Sequence, residues 1–147
     1  MDNKAYVCYC GLYCKLCPII AAIPPQARAL FATMEKSGYG EWGEYAHEGF
    51  KRFWTILQKL AKQDETCTLC QGECGNPECK IRVCARERGV LVCAFCDDYP
   101  CTLVDEFAKI YAEAPVNNDR IREIGLDAWI VEQEELVAQG RYYWDGK

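Results

Sequence analysis

The chain has 147 residues, half of them hydrophobic, with a net charge of -5, twelve cysteines and a single histidine. A chain of this length can bury a core without covalent staples, its acidic balance lacks the basic footprint of a nucleic-acid binder, and the apolar run opening at Pro18 is cut by Pro24, Pro25, Gln26 and Arg28 well short of the ~20 residues a membrane span needs. Met1-Asp2-Asn3-Lys4 leads into Tyr6 and Cys8 with no apolar leader, which predicts a cytoplasmic protein whose thiols stay reduced and therefore serve metal ligation or redox chemistry.

Residues 6–17 read Y-V-C-Y-C-G-L-Y-C-K-L-C. Cys10, Cys14 and Cys17 are spaced C-x3-C-x2-C, and Gly11 permits a tight turn beside the first of them. Pro18 suits the first position of a short helix and places Cys17 at its N-terminus. Pro24-Pro25 ends that helix and opens a second, whose apolar face is Ala27, Leu30, Phe31 and Met34 until Gly38 stops it. The longest helix is expected from about Glu44 to Lys62, with Ala46, Phe50, Phe53, Trp54, Leu57, Leu60 and Ala61 as its stripe. Such a stripe reads as core packing. His47 lies beside it and, with twelve thiols available, reads as a partly exposed helix residue and not a ligand.

Eight of the twelve cysteines fall between Cys67 and Cys101. Within that stretch Asn76-Pro77 opens a helix from Glu78 to Arg88 that Gly89 ends, and Val90-Leu91-Val92 reads as extended. Pro100 begins a helix with Leu103, Val104, Phe107, Ile110 and Tyr111 on one face, closed by Pro115. Arg120 to Glu123 reads as a helical turn broken at Gly125. The last helix, about Leu126 to Gln139, buries Leu126, Trp129, Ile130, Leu136 and Val137 and leaves Glu132, Glu134 and Glu135 as a solvated face. The tail R-Y-Y-W-D-G-K has the aromatic area to dock on the core or on a partner. No strand-rich segment occurs. The expected fold class is mainly α: one helical domain spanning 1–147, with irregular cysteine-knuckle loops cross-linked by metal and little or no β-sheet.

Zinc takes four nitrogen or sulfur ligands in a tetrahedron, and C-x-x-C in a turn supplies two thiolates at the right separation. Cys67/Cys70 and Cys93/Cys96 form C-x2-C-x22-C-x2-C, the pattern of one four-cysteine site. Cys79 and Cys84 are five residues apart and diverge by about 140° on a continuous helix, so they share a metal only if the helix starts late. Cys17, Cys79 and Cys101 lie at expected helix N-termini, where the dipole favours thiolate. A second site is then drawn from Cys79, Cys84 and Cys101 together with Cys10, Cys14 and Cys17. Cys8 and Cys74 are left as spares. Each four-thiolate zinc site adds -2, so two would bring the charge from -5 to about -9, and Lys80, Arg82, Arg86 and Arg88 offset part of it. The competing cofactor is an iron–sulfur cluster, because C-x3-C-x2-C is also the spacing with which radical S-adenosylmethionine enzymes hold one.

These motifs resemble a known family, catalogued as domain of unknown function 3795. The resemblance is carried by C-G-L-Y-C-K-L-C-P at Cys10 to Pro18, C-T-L-C at Cys67 to Cys70, C-K-I-R-V-C-A-R-E-R-G-V at Cys79 to Val90 and C-A-F-C-D-D-Y-P-C at Cys93 to Cys101. It spans roughly residues 8–111, leaving 112–147 as a C-terminal helical extension. The resemblance implies zinc as cofactor and Cys10, Cys14, Cys17, Cys67, Cys70, Cys79, Cys84, Cys93, Cys96 and Cys101 as its ligands. It implies no activity. The sequence therefore points to a structural-zinc protein acting as an interaction or adaptor module with a protein partner, with an iron–sulfur enzyme and a thiol-redox or metal-handling protein as rival readings.

Overall fold

The computed structural model describes residues 2–145, which carry nine α-helices and no sheet; the one pairing of extended backbone among them is an isolated antiparallel bridge between Val7 and Tyr13. The mainly helical class expected from the sequence is what the chain adopts. No described helix is long and apolar enough to cross a membrane. The chain divides into two compact units, one drawn from 2–17 and 68–145, the other from Pro18–Cys67.

The Pro18–Cys67 unit contains α1 (Pro18–Ala21), α2 (Ile23–Lys36), α3 (Tyr39–Ala46), α4 (Phe50–Ala61) and α5 (Gln63–Thr66). Pro24 and Pro25 occupy the first turn of α2, where their missing N–H groups have no intrahelical partner to lose. Ala27, Leu57 and Ala61 form the buried centre, with Phe31, Met34, Trp54 and Leu60 packed against it. The helix expected from Glu44 to Lys62 is in fact two. Backbone at His47 is extended (φ -139°, ψ 124°), and Gly49 at φ +76° takes the left-handed conformation that re-enters α4. A period of 3.6 cannot register this break, since Phe50, Leu57 and Ala61 keep their spacing on the far side of it. His47 is exposed and caps α3, its Nε2 2.6 Å from the Tyr39 hydroxyl.

The other unit contains α6 (Lys80–Arg88), α7 (Thr102–Ala108), α8 (Glu113–Ile124) and α9 (Leu126–Ala138). α6 begins two residues later than expected, with Cys79 as its N-cap. α8 is a full helix where only a turn at Arg120–Glu123 was expected. Pro115 lies inside its first turn and does not close α7, again because that position needs no N–H. The N-terminal segment folds back at Gly11 (φ +86°), and the Cys8 N–H donates to the Leu12 carbonyl at 2.8 Å. Its Tyr13 ring packs edge-on against Trp129 of α9 at 5.9 Å, and both are fully buried. Asn118 of α8, also fully buried, donates from Nδ2 to the carbonyls of Cys10 and Ala114, each at 2.8 Å. The aromatic tail docks on this core. Tyr143 is buried, its N–H donates to the Leu16 carbonyl, and its hydroxyl accepts from the Tyr13 N–H. The end of that tail, Gly146 and Lys147, lies outside the described residues.

Glu134 departs from the solvated face expected for it. It is half-buried, accepts from the Tyr13 hydroxyl and pairs with the Lys15 ammonium at 2.7 Å. Burial raises the carboxyl pKa, but Lys15 and Tyr13 outweigh burial and hold it below the usual value. A folded pKa below the unfolded one adds stability above about pH 4.3 and loses it as pH falls through the folded value. Glu134→Gln is therefore expected to flatten the acid limb of a melting-temperature profile. Parallel profiles for the two proteins would show that the pair contributes nothing.

Candidate metal centres

Two of the C-x-x-C segments fold identically. Cys93–Phe95 and Cys14–Leu16 are 3₁₀ turns, and the N–H of Cys96 and of Cys17 donates back to the carbonyl of Cys93 and of Cys14, each at 3.0 Å. With three residues per turn, side chains at i and i+3 fall on the same side, which aims both thiols of a pair one way. Cys67 and Cys70 are built differently. Cys67 caps the end of α5 with extended backbone, and Cys70 opens the separate turn Cys70–Gly72.

Cys84, Cys93, Cys96 and Cys101 line a single 210 Å³ cavity, together with apolar Ile81, Ala85, Val90 and Tyr99. Cys84 comes from the middle of α6, Cys93 and Cys96 from their knuckle, and Cys101 from the N-cap of α7. Arg88, one turn beyond Cys84, hydrogen-bonds its thiol and pairs with Asp98. Arg122 of α8 fixes the knuckle from behind: it donates to the Ala94 carbonyl at 2.7 Å and the Cys96 carbonyl at 2.8 Å, and its guanidinium lies 4.7 Å over the Tyr99 ring. Burial first, then the proximity of Cys10, Cys101, Cys84 and Cys96, pushes the Cys93 thiol up to about 12. Thiols crowded in this way keep their protons unless a cation takes up the charge.

A second set forms around Cys8. Its thiol hydrogen-bonds with those of Cys10, Cys14 and Cys70, and the Cys8 and Cys14 sulfurs are 3.4 Å apart. The Tyr9 N–H donates to the Cys70 sulfur, and the Cys70 N–H to the Cys14 sulfur. The Cys8 thiol hydrogen bond is the largest influence lowering both the Cys70 and the Cys14 pKa, with Arg82 adding to it at each. Cys8 itself is raised, by its bonds to Cys10, Cys14 and Cys70. Arg82 thus sits beside this set as Arg88 sits beside the other.

The structure therefore sorts the cysteines otherwise than the linear spacing implied. Cys70 joins Cys8, Cys10 and Cys14, whereas Cys93 and Cys96 join Cys84 and Cys101. Cys8, left over as a spare by its spacing, is the hub of its set. The chain turns after Cys8, the Gly11 N–H donating to the Cys8 carbonyl at 3.0 Å, and this turn is what brings Cys10 back to Cys8. Cys17 precedes α1, Cys67 follows α5 and Cys79 caps α6, so each flanks a helix, and the Cys74 carbonyl accepts from Arg82. The thiols meet as hydrogen-bonded neighbours, and among the described residues no three Cys, His, Asp or Glu side chains are already closed tightly enough to hold a metal ion. Four soft sulfur donors around one small cavity nonetheless suit zinc or another thiophilic metal by donor type and number.

No curated protein and no solved structure matches the chain. A sequence model of the family described as "Protein of unknown function (DUF3795)" matches residues 6–106, a segment that holds all twelve cysteines. By that match, and with both thiol sets inside it, the chain belongs to the DUF3795 family.

Proposed function

We propose that this chain is a zinc-binding protein whose centre at Cys84, Cys93, Cys96 and Cys101 is structural, and that the helical unit so held serves as an interaction or adaptor module in a reducing compartment. The convergence of these four thiols on one cavity carries the reading. Four thiolates saturate tetrahedral zinc and leave no coordination position for substrate, which is the character of a structural site. Besides Arg88, Asp98 and Thr102 the rest of the lining is mostly apolar, and Arg88 stands beside Cys84 against the excess negative charge of a tetrathiolate. Ile110, Val116 and Val131 of the same unit are exposed, which gives a protein partner apolar surface to cover.

Elemental analysis of anaerobically purified protein tests the metal. Zinc without iron is expected, and Cys93→Ser should lose the zinc of this centre. Iron accompanied by broad visible absorption would overturn the reading in favour of the iron–sulfur alternative.

A further inference from the structure

We propose that the open groove formed by α2, α4 and α5 is a docking site for an acidic amphipathic helix of a protein partner. Phe31, Ile56 and Leu60 supply its apolar floor, Lys59 and Lys62 its charge, and Arg52 continues that charge along α4. The proposal names a partner class for the adaptor reading and draws on none of its metal chemistry.

The charge of α4 is the first observation. Lys51, Arg52 and Lys59 lie on it, Lys62 is its C-cap, and no acidic residue stands between Phe50 and Lys62. A chain of net charge -5 thus carries one helix whose charges are all positive. Lys59 and Lys62 suit the negative end of the helix dipole. Lys51 and Arg52 do not: they stand in the first turn, where an acid is favoured and none is present. Glu44 answers Lys51 at 2.9 Å, but Arg52, Lys59 and Lys62 enter none of the ion pairs among the described residues. The groove's lining holds one carboxylate, Glu65, and its third cation, Arg28, is paired with Asp64 at 2.8 Å.

The second observation is where the apolar area lies. The buried cluster between α2 and α4 is Ala27, Leu57 and Ala61, whereas Leu30, Phe53 and Ile56 of the same helices are 48%, 43% and 46% exposed. Apolar residues exposed singly are ordinary. These are not single: Phe53, Ile56 and Leu60 recur at i, i+3 and i+7 along α4, and Ile56 and Leu60 open with Phe31 of α2 into one groove of 980 Å³. Arg52 and Lys59 stand four residues before and three after Ile56, so cations and apolar row share one side of the helix. An acidic amphipathic helix presents the complement, with apolar anchors at i, i+3, i+4 and i+7 for the groove and carboxylates beside them for the cations. A bilayer fits less well, because a flat surface does not reach side chains that line a concavity.

Fluorescence anisotropy of labelled synthetic peptides, titrated with the full chain, tests the proposal. The probe is a helix of about 18 residues with leucine at i, i+3, i+4 and i+7 and glutamate and alanine elsewhere; its control carries lysine for glutamate. The acidic peptide should bind saturably with a Kd on the order of 10 μM, and the control about tenfold more weakly or worse. Ile56→Ser should weaken the acidic peptide by about fivefold, and Arg52→Glu combined with Lys59→Glu by about tenfold or more. All three positions are exposed, so the variants keep the fold, and Lys109→Glu, an exposed cation of the other unit, should bind as the wild type does. No saturable binding, equal binding of the two peptides, or undiminished binding by Ile56→Ser overturns the proposal. So does a chain that ignores the peptide but binds phosphatidylcholine–phosphatidylserine vesicles through Arg52 and Lys59, which would make this face a membrane surface. Binding lost in Val131→Ser and kept in Ile56→Ser would move the partner to the surface of the preceding reading. The zinc content of the same preparation decides the metal separately, so failure of either reading leaves the other to stand.

Discussion

Stripping zinc with a chelator is expected to melt α6 and α7, with loss of far-ultraviolet helical signal greater than any single core substitution produces. The apolar support in this region is thin. Between Cys67 and Cys101 the buried hydrophobic residues are Ile81, Ala85, Val92, Ala94 and Tyr99, and two of the five are alanine. A structural zinc site contributes about 10–16 kcal/mol of apparent binding energy near neutral pH, comparable with the whole ~5–15 kcal/mol stability of an ordinary domain. Loss of one such centre therefore exhausts the margin. Hydrogen exchange locates the effect. Amides of α6 and α7 should lose protection first, while α2 and α4, held by Ala27, Leu57 and Ala61, serve as the internal reference. Unchanged circular dichroism and exchange in metal-free protein would show that the metal is not structural.

Gly11→Ala should destabilise the protein by about 3–4 kcal/mol in urea titration, from two causes acting at one atom. At φ +86° a Cβ is strained whatever surrounds it. The surroundings are also closed: that Cβ would lie 2.5 Å from Asn118 Nδ2 and 2.9 Å from its Cγ. Asn118 has no room to yield, because it is fully buried and moving it breaks its bonds to the Cys10 and Ala114 carbonyls. Asn118→Ala removes the obstacle, so the double variant should be more stable than additivity predicts, by about 1–2 kcal/mol. Additive losses would mean that backbone strain alone is responsible. Since Gly11 adjoins Cys10, the substitution is also expected to disturb the Cys8 set.

Local punctuation was legible in the sequence. Pro24-Pro25 opens α2, Gly89 ends α6 at φ +66°, and Gly125 precedes α9, each where steric preference alone places it. Cys101 was legible as lying at a helix N-terminus, though the helix begins at Thr102 and not at Pro100. Polarity was a poorer guide. Glu134 read as part of a solvated face, and nothing marked Asn118 for burial, because a sequence records that a side chain is polar, not that a carbonyl or ammonium awaits it. Which cysteine turns lie near one another was no more legible. C-x-x-C spacing specifies which two thiols share a turn, but which turns meet depends on how α6, α7 and the N-terminal fold-back pack. Cys70 accordingly went to Cys8 and Cys14, far from it in sequence.

One unit takes its residues from both sides of Pro18–Cys67, and this imposes a schedule on synthesis. Cys8, Cys10 and Cys14 leave the ribosome early, yet Cys70, whose thiol bonds that of Cys8, and Trp129 and Tyr143, which pack on and bond to Tyr13, come later. At ~5–20 residues per second the intervening segment alone occupies several seconds. Throughout that interval the first thiols are open to oxidants and to any thiophilic ion. The thiols at the beginning of the chain thus wait for an end that does not yet exist, and in that interval oxidation competes with folding.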